Sequence, residues 1–118
     1  VADGRLRMTG SAPICRGDVV IADFLDAHGR EIRKRRPYVV VSPDDLNAVQ
    51  WTYILAPLTT GHHPYRYRVP CQISGRAGHV ILDQLRMIDA ERVGKPVSKL
   101  KPAALHDVLS RLRDMFAD

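Results

Sequence analysis

The sequence predicts a mainly β, α+β domain: a small antiparallel barrel with a short internal helix and a closing C-terminal helix. Three observations lead there. Short apolar runs rich in Val, Ile and aromatic residues recur between turn signals, as strands do. Near the end the pattern changes, and Leu105, Val108, Leu109, Leu112 and Phe116 repeat at helical spacing. Finally, 118 residues make one domain, and short strands in a chain of that size curl to hide their edges.

The elements can be justified in order. Residues 1–13 are polar and aperiodic and read as a disordered arm or cloning remnant, leaving 14–118 as the single barrel domain. Gly17 turns the chain into a first strand, Val19 to Phe24, and Asp26-Ala27-His28-Gly29 is a turn. Tyr38 to Val41 forms the second strand. Ser42-Pro43-Asp44-Asp45 then reads as a helix start, with Ser42 as N-cap, Pro43 at the first helical position and acids in the first turn, and Asn47 is expected to cut that helix short. Trp51 to Leu58 is a third strand that should leave the sheet at Pro57. Tyr65-Arg66-Tyr67-Arg68-Val69 alternates as a strand does, Gly75 to Gly78 reads as a hairpin turn, and further strands flank Asp83.

Composition narrows the function classes. The net charge of +5 favours a polyanionic or acidic partner. The two cysteines, Cys15 and Cys71, lack the spacing of a zinc site or disulfide framework and read as small buried apolar residues. No apolar run is long enough to span a membrane and no secretory segment is evident, so a cytoplasmic protein without membrane attachment is expected. There is no Walker loop, no His-Glu-x-x-His and no Gly-x-Ser-x-Gly, and the carboxylates are scattered. No metal or other cofactor is therefore expected.

The densest chemical signal runs from Gly29 to Pro43. Five of the seven residues from Arg30 to Arg36 are basic, and Pro37 and an apolar strand follow at once. Pro37 restricts Arg36 to extended conformations, so Arg36 is held at the mouth of a strand, ready to grip a phosphate. RNA can be cut without metal because its 2′-OH attacks the neighbouring phosphate. That reaction needs a base, an acid and fixed donors for the transition state. Arg36 suits the donor role and Thr59 adds a hydroxyl. Glu31, His28, His62, His63 and Asp83 are the available proton carriers. Glu31 equally suits a charge-balancing role, Asp83 a strand-junction role, and Tyr65 with Tyr67 either base stacking or core packing.

These residues resemble a known family. Arg16-Gly17-Asp18-Val19-Val20, Gly29-x-Glu31 and Arg36-Pro37-x-Val39-Val40-Val41-Ser42-Pro43 are similar to segments of the MazF/PemK toxins of bacterial type II toxin–antitoxin modules. Asn47, Pro57-Leu58-Thr59-Thr60, Pro64-Tyr65, Asp83-Gln84-x-Arg86-x-Ile88-Asp89 and Lys99-Leu100 continue the match in order. The resemblance implies an SH3-like barrel, a homodimer, inhibition by an acidic cognate antitoxin, and sequence-selective endoribonuclease activity on single-stranded mRNA. It also implies a metal-independent cut leaving a 2′,3′-cyclic phosphate and a 5′-OH. Arg36 and Thr59 fall on the family's catalytic positions, and Glu31 and Asp83 on proposed proton carriers. The RNA-binding set expected beside them is Arg30, Arg33, Lys34, Arg35, His28, His62, Tyr65, Gln84 and Arg86. The chain departs from the family in having Val20-Ile21 where members often carry Trp, Arg30 where they carry Ser or His, and an unusually basic loop. Two other classes compatible with such a barrel are a protein-binding toxin resembling the gyrase poison CcdB and a catalytically inactive RNA-binding barrel.

Overall fold

Seven strands and two helices follow one another in the computed structural model, which describes residues 14–24, 35–61 and 65–118. They are β1 (Asp18–Ala22), β2 (Arg36–Val40), α1 (Asp44–Gln50), β3 (Thr52–Thr60), β4 (Arg68–Ile73), β5 (Arg76–Ile81), β6 (Arg86–Asp89), β7 (Ser98–Lys99) and α2 (Pro102–Met115). Short 3-10 turns at Leu82–Gln84 and Ala90–Arg92 flank β6. The expected arm at 1–13 lies outside the described residues.

All pairing is antiparallel, in the order β4-β5-β3-β2-β1-β7, with β6 also joined to β3. β3 is the hub. One edge pairs with β2; the other pairs with β6 over Thr52–Leu55 and with β5 over Leu58–Thr60. This sharing curls the sheet into a half-barrel, the α+β barrel the sequence predicts.

Side-chain alternation builds two apolar layers. Val19, Val39, Val41, Ala56, Leu58, Val69 and Val80 point to one face, where Val108, Leu105 and Leu112 of α2 cover them. Val20, Ala22, Phe24, Tyr38, Val40, Tyr53, Leu55 and Ile88 point to the other. Each fully buried side chain of this kind contributes about 1.5–3 kcal/mol. Asp18 is buried at the sheet's margin, where it accepts the Cys15 amide at 2.8 Å and meets Lys99 Nζ at 3.6 Å.

Several local expectations need correcting. Ser42 does not cap α1, whose N-cap is Pro43. The Ser42 hydroxyl turns inward, donates to Asn47 Oδ1 at 2.5 Å and accepts the Ile54 amide at 3.0 Å. Asn47 does not end the helix; it is buried within it, and its Nδ2 donates to the Ser42 carbonyl at 3.0 Å. Tyr65–Tyr67 precede β4 in a turn closed by Arg68 N donating to the Tyr65 carbonyl. The hairpin turn is Ser74-Gly75, both with positive φ, so Gly78 belongs to β5. Cys15 and Cys71 are half-buried rather than buried. Burial still pushes the Cys71 thiol up to about 11, keeping it neutral.

Pro57 also stays inside β3, opposite Tyr38. The Val41 amide donates to the Ile54 carbonyl, so by antiparallel alternation Tyr38 and Pro57 form a non-hydrogen-bonded pair. The Pro57 nitrogen therefore faces the opposite edge. There it lies between the end of the β6 ladder at Leu55 and the start of the β5 ladder at Leu58, where no donor is required.

Candidate active site

The β2–β3 ladder ends at Tyr38↔Pro57, and Pro37 has no N–H with which to extend it. Arg36 and Thr59 each lie two residues beyond that last pair, on neighbouring strands at the same end of the sheet. Alternation puts Arg36 on the face of Tyr38 and Val40, and Thr59 on the face of Leu55 and Tyr53. These are one face. The two residues chosen from sequence for transition-state contact thus come together at an opened strand end.

Arg36 is half-buried, and its Nε is buried with no hydrogen-bond partner among the described residues. Asp23 Oδ1 and the Tyr38 hydroxyl share that condition. Burial pushes the Tyr38 phenol up, Arg36 and then Arg86 oppose that shift, and Asp23 reinforces it. These four side chains therefore occupy one electrostatic neighbourhood. Arg86, opposite Leu55 on β6, lays its guanidinium 4.3 Å from the centroid of Phe24, whose ring meets Tyr38 edge-on at 5.2 Å. Arg86 is thereby held by a cation–π contact on the Phe24 ring.

Thr59 is half-buried and its Oγ1 donates to the Thr60 carbonyl at 3.2 Å. Across the ladder stands His79, with Gly78 opposite Thr60. A Cβ at Gly78 would lie 2.5 Å from the Thr59 carbonyl oxygen and 2.5 Å from Ile73 Cδ1, so only glycine permits this approach.

Asp83 lies in the 3-10 turn after β5, exposed, with Oδ1 and Oδ2 3.4 and 3.3 Å from Nε and Nη2 of Arg68. Among the described residues it neither caps backbone amides nor pairs with Arg36. Gln84 is half-buried in the same turn, and Arg35 is exposed just before β2. Tyr65 is 54% exposed, packed edge-on against Tyr67 at 5.9 Å and approached by Arg68 at 5.8 Å. Tyr67 joins the core margin, as core packing requires. Glu31, His28, Arg30, Arg33, Lys34, His62 and His63 lie outside the described residues.

Two residues on this face were not selected from sequence, Arg68 and His79. Pro70 pairs with His79 and Arg68 with Ile81, which sets both on the Thr59 face. Alternation against the inward Val80 and Leu82 was the signal for His79, but it became informative only once the β3–β5 register was known. A groove of about 350 Å³ lined by Arg16, Val41, Leu109, Leu112, Arg113 and Phe116 lies instead on the α2 side. Among the described residues no three His, Cys, Asp or Glu side chains are grouped to hold a metal, and no helix is long and apolar enough to cross a membrane.

Comparison with known proteins agrees with this fold. An endoribonuclease MazF from Staphylococcus epidermidis is 27% identical over 101 residues, covering 80% of this chain and 84% of that protein. The crystal structure of MazF from Deinococcus radiodurans superposes with a TM-score of 0.75 at 25% identity, covering 89% of this chain and 97% of that one. A mycobacterial endoribonuclease solved with its cognate antitoxin has the same fold, with a TM-score of 0.72 at 21% identity over 87% and 93% of the two chains. The model of the PemK-like, MazF-like toxins of type II toxin–antitoxin systems matches residues 15–116. With its half-barrel, the opened β2–β3 end and that match over nearly its whole length, this chain belongs to the PemK-like, MazF-like toxin family.

Proposed function

We propose that this toxin is a sequence-selective endoribonuclease that cuts single-stranded mRNA without a metal ion. The observation that carries the reading is the convergence of Arg36 and Thr59 on one face of the opened β2–β3 end, with Arg36 Nε buried and unpartnered among the described residues. A guanidinium offers forked donors to the non-bridging oxygens of a phosphodiester, and a threonine hydroxyl adds one more. Such fixed donors stabilise the charge that develops as the 2′-OH attacks, and the products are a 2′,3′-cyclic phosphate and a 5′-OH. Arg86 and Tyr65 extend the contact with a cation and an exposed ring. Glu31 and Asp83 are the candidate proton carriers that the family resemblance offers, and the basic loop, Arg30 to Arg35, guides RNA by charge.

Family membership supports an acidic cognate antitoxin as inhibitory partner and a homodimer as the acting form. The test is incubation of purified protein with single-stranded RNA in EDTA, followed by end mapping. Cleavage with cyclic-phosphate ends that Arg36→Ala strongly slows is the expected result. Cleavage that chelation removes overturns the metal-free mechanism, and no cleavage by the folded protein overturns the activity.

A further inference from the structure

We propose that His79 is the general base of this site, taking the proton from the attacking 2′-OH, an inference that rests on the ribonuclease reading above. The register is the first support. His79 is the direct cross-strand partner of Thr59 in the β3–β5 ladder. Side chains directly opposite each other in an antiparallel pair share a face and stand within about 5.5 Å at Cβ. Thr59 shares its face with Arg36, so a donor pair and an imidazole occupy one side of one sheet end.

The imidazole is also oriented. His79 Nδ1 lies 3.1 Å from the Gly61 carbonyl oxygen. A carbonyl only accepts, so this contact holds the ring proton on Nδ1 and makes Nε2 the basic nitrogen of the neutral ring. Gly61, with φ +112°, turns the chain directly after β3, and that turn presents the carbonyl to His79. The ladder position is held closely as well, because Gly78 lets β5 approach the Thr59 backbone as no other residue would.

The surroundings suit the role. The two ladder partners of His79, Pro70 on β4 and Thr59 on β3, are uncharged. Among the described residues the charged groups of the same face are Arg36 on β2, Arg68 on β4 and Arg86 on β6, with Asp83 beyond β5 paired to Arg68; the Tyr38 phenol lies within the core. Asp83 is thus engaged by a cation, and His79 is the direct ladder partner of Thr59. In the step, O2′ bonds to phosphorus as its proton passes to Nε2. The P–O5′ bond breaks, O5′ takes a proton from solvent, and the imidazolium later returns its own to solvent. Atoms and charge balance without a co-reactant.

The experiment compares wild type, His79→Gln and His79→Asn. End mapping with wild type on a long single-stranded RNA first fixes a cleaved site. Single-turnover rates are then measured across pH on an oligonucleotide carrying that site, and binding is measured with the same oligonucleotide made 2′-deoxy at the cleaved position. Both variants should cut about 100-fold more slowly, bind the deoxy analogue as wild type does, and lose the acid limb of the pH–rate profile. Wild-type cleavage with variants unchanged in rate and profile overturns the role of His79 and leaves the ribonuclease reading intact. A loss confined to binding of the analogue makes His79 a binding residue and equally overturns its role as base. Absence of wild-type cleavage overturns both.

Discussion

Gly78 and Thr59 are in contact so close that a single added methyl group at Gly78 would fall 2.5 Å from the Thr59 carbonyl oxygen. The φ of Gly78 is not positive, so the demand is for space, not for backbone freedom. Gly78→Ala should therefore push β5 away from β3 and cost about 1–3 kcal/mol by overpacking. Urea unfolding checks the stability, and the RNA assay should show lost cleavage because Thr59 moves with its strand.

Arg36 gives the cleanest separation of activity from stability. Its Nε has no partner among the described residues, so removing the guanidinium breaks no hydrogen bond there. Arg36→Ala should lower cleavage by about 10²–10³-fold while the melting temperature stays close to wild type. Arg36→Lys should also fail, since a point charge lacks the fork. Equal loss of folding and cleavage would make Arg36 a structural residue.

The Arg68–Asp83 pair is partly exposed, with side chains 27% and 37% accessible. Solvent screening limits such a pair to less than about 1 kcal/mol. Asp83→Asn should leave the unfolding midpoint nearly unchanged, and any large fall in cleavage would then report a chemical role for Asp83.

The Ser42–Asn47 pair is different because it is buried. Asn47→Ala leaves the Ser42 hydroxyl without its acceptor and the Ser42 carbonyl without its donor, and should cost about 1–3 kcal/mol per orphaned group. Chemical denaturation reads this directly. No change in midpoint would show that the network contributes nothing to stability.

Cys71 supplies a prediction in pH. Burial raises its thiol from 9.0 to about 11, so the folded state holds the proton more tightly than the unfolded chain. Its contribution to stability is complete below about pH 9 and is lost as the pH climbs from about 9 to about 11. Cys71→Ser should flatten that part of the stability profile, and alkylation of Cys71 in the folded protein should be slow at neutral pH.

Much of the fold was legible because β-strands and an amphipathic helix announce themselves by period, as in Val39-Val40-Val41 and Leu105 to Phe116. The place of Arg36 at a strand mouth was legible because Pro37 restrains it. Pro57 misled because a proline ends a strand only where its nitrogen faces a partner, and here it faces the gap between two ladders. Ser42 misled because a capping residue and a buried hydrogen-bonding residue look alike until Asn47 is seen one turn away. His79 was invisible for a simpler reason. Its meaning depends on which residue of β3 stands opposite, and register is a long-range property.

The hub position of β3 has a consequence in time. Its edges are completed by β2, made before it, and by β5 and β6, made after it. A chain emerging from the ribosome can hold Arg36 and Thr59 long before it holds the strand that fixes Thr59 from the other edge. No nascent fragment lacking β5 can present the finished constellation, so a cell translating this toxin meets its chemistry only once most of the chain has been synthesised.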